Sequence, residues 1–145
     1  MKALLTAALL HDIARNDNDH AKAGAEKAKE ILAKYNYNKY EIDFIAEVIS
    51  AHSFSGMETP RNLEGMILSD ADKIDALGAL GIYRTAMYSG EHHRSIKDFI
   101  EHFHNKLLKL RYQLYTDEAK HVAEKRTAYM LDYLLRLDEE MKFMN

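Results

Sequence analysis

The chain has 145 residues, 47% of them hydrophobic, with one proline, six glycines and no cysteine. That length and apolar share suit a single domain, residues 1–145, with its own core, and the lack of cysteine excludes disulfides, zinc knuckles and thiol catalysis. Twenty basic residues against 23 acidic ones leave a formal charge of −3, which argues against general nucleic-acid binding.

The apolar start, Ala3 to Leu10, runs directly into His11-Asp12 without a small-residue cleavage site. It does not read as a secretory signal. No run approaches the roughly 18 consecutive apolar residues of a membrane span, so the expectation is a cytoplasmic protein without membrane contact. Helical periodicity then dominates the chain. Residues 2–14 read as a first helix, apolar on most sides. A second spans about 20–35, with Ala21, Ala25, Ala28 and Leu32 along one side. Asn38 followed by Glu41 opens a third through about Ser50. Residues 51–58 read as a loop, and Thr59-Pro60 as the start of a fourth helix carrying Leu63, Ile67, Ala71 and Ile74. A short helix covers 79–88, followed by a loop over 89–94. Ser95 with Asp98 forms a capping-box pattern ahead of Phe99, Phe103, Leu107, Leu110 and Leu114, which recur at helical spacing. Thr116 with Asp117 and Glu118 begins a long last helix whose stripe includes Ala123, Met130, Leu134, Leu137 and Met141. No useful strand alternation is present, and the expected fold class is all-α, a compact helical bundle.

Eight histidines are the natural place to look for metal or proton chemistry. His11 and Asp12 end the first apolar stretch. An imidazole with a carboxylate suits a transition metal better than calcium, although such a pair also serves as plain polarity at a helix end. Asp70, Asp72 and Asp75 lie among apolar residues in LSDADKIDALGALGIYR, Leu68 to Arg84. A carboxylate in such a place is paired, hydrogen-bonded or bound to a cation. Capping of a local turn, or a pair with a basic residue, would serve equally. His102 and His104 are two apart and diverge on a helix.

Together, His11-Asp12 and DADKIDALGA about 60 residues later resemble the HD-domain phosphohydrolase superfamily, and within it the small bacterial and archaeal hydrolases. The resemblance extends to HAKAGAEKAKEIL (20–32), VISAHSFSG (48–56), LGALGIYRTAMYSG (77–90) and the segment 102–137. It implies an all-α domain that holds a divalent metal, one of Mn, Ni, Fe, Mg or Zn, and hydrolyses phosphoester or phosphoanhydride bonds. The substrate it implies is a nucleotide or another small phosphorylated metabolite. Carried onto this chain, the metal ligands are His11, Asp12 and Asp72, and Asp12 also orients the attacking water. His20 and His52 are expected to assist catalysis, with Lys73, Arg84 and Arg15 placed to meet phosphate. The family's first histidine lies on a helix upstream of the His-Asp pair; only ten residues precede His11 here and none is a histidine. A domain that kept the fold without catalysis, with a structural or small-ligand-binding role, is the alternative. Uncovered apolar faces over residues 3–10 lead further to the expectation of a homodimer built around the first helix.

Overall fold

The structure, a computed structural model, describes residues 1–53 and 58–143. Among the described residues it holds seven α-helices and no strand. They are α1 (Lys2–Leu10), α2 (His20–Leu32), α3 (Lys39–Ser50), α4 (Leu63–Asp75), α5 (Gly78–Glu91), α6 (Ile96–Asn105) and α7 (Asp117–Lys142), with a 3-10 turn over Leu107–Gln113. The all-α reading holds. So do the caps: Asn38 with Glu41 and Ser95 with Asp98 each form a complete capping box, and Thr116 caps α7.

Several boundaries differ from the periodicity. The first helix stops at Leu10 rather than continuing to residue 14. Residues 11–16 are turns tied by three-residue bonds, Ile13 N–H to Leu10 O, Arg15 N–H to Asp12 O and Asp17 N–H to Ala14 O. Thr59-Pro60 does not open α4; Asn62 does, its Oδ1 accepting the Gly65 N–H at 2.8 Å. Of the expected loop at 51–58, residues 54–57 lie outside the described residues. α5 runs on through Ser89-Gly90 to Glu91. The stripe from Phe99 to Leu114 is not one helix: α6 ends at Asn105 and the chain continues as a 3-10 turn. Residues three apart eclipse in a 3-10 turn, so Leu107 and Leu110 both stay buried although the α-helix has ended.

The described chain divides into two units, Met1–Asp72 and Lys73–Asn145. In the first, α3 packs against both α1 and α2. Its core is Ala7, Ala25, Ala28, Leu32, Ile45, Ala46, Val48, Ile49 and Leu68. The small residues of α2 permit close approach, and Gly24 shows how close: a Cβ there would sit 3.1 Å from the His11 carbonyl oxygen and 3.6 Å from Ile49 Cγ2. The turn carrying His11 therefore lies directly on α2. The second unit has its own core around Leu77, Phe99, Phe103, Leu107, Leu110, Met130 and Leu134. There Gly78 adopts a φ of +78°, which a side chain would strain, and packs against the Arg126 stem. The Arg126 guanidinium donates to the Ile74 carbonyl at 2.7 Å, meeting one of the free carbonyls at the end of α4. No described helix is long and apolar enough to cross a membrane.

Candidate metal centre

His11 is the residue that ends α1, and its position makes it useful. Its backbone is still helical, so its Nδ1 reaches back to the Ala8 carbonyl at 2.8 Å. A carbonyl only accepts, so Nδ1 carries the hydrogen and Nε2 presents its lone pair outward. His52 follows the end of α3 and repeats the arrangement: its Nδ1 donates to the Ile49 carbonyl at 2.6 Å. The His52 backbone carbonyl is in turn held by the Ser69 hydroxyl of α4 at 2.9 Å. Both His52 and Ser69 are 1% exposed.

These local bonds bring one nitrogen of His11, one of His52 and a carboxylate oxygen of Asp12 within 4.8 Å of one another. The His11 and His52 rings meet edge to face with centroids 5.0 Å apart. Asp12 Oδ2 lies 3.8 Å from His11 Nε2 and is ion-paired with Arg15. Burial pushes the His52 pKa below its ordinary value of 6.5; the Ile49 carbonyl and the Asp72 carboxylate oppose that shift, and His11 and His20 add to it. That direction favours the neutral imidazole, the form a metal requires. Two imidazoles and a carboxylate, each imidazole oriented by a backbone carbonyl through its other nitrogen, are the donor set of a divalent transition-metal site. The residues present fit such an ion.

The remaining candidates divide between the unit that holds this cluster and the second unit. His20, the first residue of α2, has its ring 5.5 Å from that of His52 and so lies beside the donors. Asp72, the third expected ligand, acts on His52 through its charge; the three donors within 4.8 Å of one another are His11, Asp12 and His52, which was expected to assist catalysis. Lys73 and Arg84 belong to the second unit. Lys73 is buried with its ammonium 5.6 Å from the Tyr115 ring centroid, and Arg84 is ion-paired with Asp75. His102 and His104 are in that unit too, and among the described residues neither joins a three-donor group. Sequence reasoning missed Ser69 and Gly24. Ser69 is one serine in a helix, and nothing in its neighbours announces a bond to a residue 17 positions earlier.

The HD-domain family model matches residues 1–77, a span that contains the whole cluster. The chain belongs to the HD-domain family. It is 30% identical to the uncharacterized protein YpgQ of Bacillus subtilis, over 94% of this chain and 71% of YpgQ. The crystal structure of YpgQ in complex with ADP superimposes with a TM-score of 0.79 at 29% identity, covering 96% of this chain and 76% of the other. An HD-superfamily hydrolase from Bacillus thuringiensis gives a TM-score of 0.75 at 32% identity, covering 97% and 73%. The HD-domain chain thus has the fold of HD-superfamily hydrolases.

Proposed function

We propose that this HD-domain chain is a metal-dependent phosphohydrolase acting on a nucleotide or another small phosphorylated metabolite. One observation carries the reading: His11, Asp12 and His52 converge within 4.8 Å with both imidazoles aimed by backbone carbonyls. Both imidazoles spend Nδ1 on a backbone carbonyl, which leaves Nε2 as the nitrogen each can offer to an ion. The complex of YpgQ with ADP supports a nucleotide as the ligand class.

In this reading His11 and His52 supply nitrogen ligands and Asp12 an anionic one. Asp72 completes the negative charge around the site. A divalent ion bound there supplies Lewis acidity toward a phosphoryl oxygen and a water of lowered pKa. Asp12 orients that water. His20, beside His52 at the start of α2, serves as a donor to phosphate oxygens that gain charge as the bond breaks, and Arg15 offers a guanidinium at the mouth of the site.

The test has two stages. Purified protein is titrated with Mn2+, Ni2+, Zn2+ and Mg2+ alongside Asp12→Asn and His52→Ala. The metal-loaded protein is then offered nucleoside mono-, di- and triphosphates with phosphate release as the readout. Metal binding lost in both variants, with turnover in the wild type, is the expected result. Metal binding without turnover of any substrate would favour the non-catalytic alternative, and equal metal content in the wild type and Asp12→Asn would dispose of the site.

A further inference from the structure

Asp12 is not idle without a metal. The oxygen that faces His11 Nε2 at 3.8 Å, Oδ2, is the same oxygen that the Arg15 guanidinium takes. The other carboxylates of this turn are engaged elsewhere: Asp17 pairs with Lys27 at 2.8 Å, and Asp19 caps α2 through the Lys22 N–H. Arg15 follows Asp12 by three residues in a turn closed by its own N–H on the Asp12 carbonyl at 3.1 Å. Its side chain is 76% exposed, so it is free to swing away without disturbing the core.

We infer that Arg15 is the counter-ion of Asp12 in the metal-free protein, and that metal binding displaces it and releases its guanidinium to phosphate. This rests on the metal-site reading above. A dication coordinated by Oδ2 lies within a few ångströms of any group hydrogen-bonded to that oxygen, so guanidinium and metal repel one another there. The exchange also changes the charge facing an incoming anion. The Asp12–Arg15 pair is neutral; with a dication on Asp12, three positive charges stand against one negative charge. Metal and phosphate binding are therefore coupled through Arg15, metal first, and linkage requires each to tighten the other by the same factor.

Titration calorimetry of the full chain with Mn2+ alone, and then with inorganic phosphate at zero and saturating Mn2+, tests this. Wild type, Arg15→Gln, Arg15→Lys and Asp12→Asn are compared. Arg15→Gln should bind Mn2+ about threefold to tenfold more tightly, the scale of a screened surface repulsion, with the gap narrowing as salt is raised. It should also lose most of the gain in phosphate affinity that Mn2+ brings to the wild type. Arg15→Lys should recover the wild-type Mn2+ affinity. If Asp12→Asn abolishes Mn2+ binding while Arg15→Gln matches the wild type in Mn2+ affinity and in coupling, this inference alone is overturned. If Asp12→Asn binds Mn2+ like the wild type, the metal site itself fails and the inference falls with it.

Discussion

Ser69→Ala isolates the link between the core of the first unit and the candidate metal centre. The Ser69 hydroxyl, 1% exposed, donates at 2.9 Å to the carbonyl of His52, which is itself 1% exposed. Removing the hydroxyl strips a buried carbonyl of a donor, a change that costs roughly 1–3 kcal/mol. Alanine returns about 0.5 kcal/mol through its better helix propensity within α4. The net loss is then about 1–2 kcal/mol, and at roughly 2–4 °C per kcal/mol for a chain of this size the melting midpoint should fall by several degrees. The same bond positions the His52 ring, because backbone and imidazole move together. Partners that orient metal-bound histidines are worth about 10–100-fold in metal affinity, and Ser69, acting through the backbone, belongs at the lower end, near tenfold. Ser50→Ala is the control: its hydroxyl bonds to Glu47 O and Glu58 on a half-buried surface, and its loss should cost less than 1 kcal/mol and leave metal binding unchanged. Denaturant melts and Mn2+ titration supply both readouts. Ser69→Ala that melts with the wild type and binds metal equally well would refute the reasoning.

Thr127→Val should have the opposite sign. Thr127 in α7 is fully buried and its hydroxyl has no hydrogen-bond partner among the described residues, so removing it should raise stability by about 1 kcal/mol, readable as a higher urea midpoint. Acid should destabilise the metal-free protein through His52. Its folded pKa is depressed below 6.5, so the unfolded chain binds the proton first; stability is complete above that pH and declines as pH falls from there toward the folded pKa. Urea midpoints of the wild type should therefore drop more between pH 7.5 and 5.5 than those of His52→Gln, and equal slopes would contradict the assignment. Gly24→Ala should gain helix propensity yet lose metal affinity, because its Cβ would press on the His11 carbonyl from 3.1 Å; unchanged Mn2+ titration would show that the turn gives way freely. Leu5 and Leu9 are 60% and 82% exposed on α1, and we expect the chain to self-associate through that face. Light scattering should then report a dimer that Leu9→Glu converts to monomer, and a wild-type monomer at high micromolar concentration would end that expectation.

The residues that made the fold class legible act locally. Asn38 and Glu41 cap one helix and Ser95 and Asp98 another within three residues of each other. Apolar spacing near 3.6 marks helical faces without reference to the rest of the chain. His11-Asp12 was visible for the same reason, as an ionisable pair at the end of an apolar run. What periodicity could not decide was where an element stops when its apolar pattern continues. Leu107 and Leu110 keep the stripe while the backbone tightens to a 3-10 turn, because eclipsed residues three apart serve the core as well as an α-helical face does. Nor could it bring distant donors together. His52, expected only to assist catalysis, comes within 4.8 Å of His11 and Asp12, 41 and 40 positions earlier, because α3 packs on α1 and because Ser69 and Ile49 hold its backbone and ring. Such a meeting depends on helix packing and on which buried carbonyls need donors, quantities that exist only once the chain has folded.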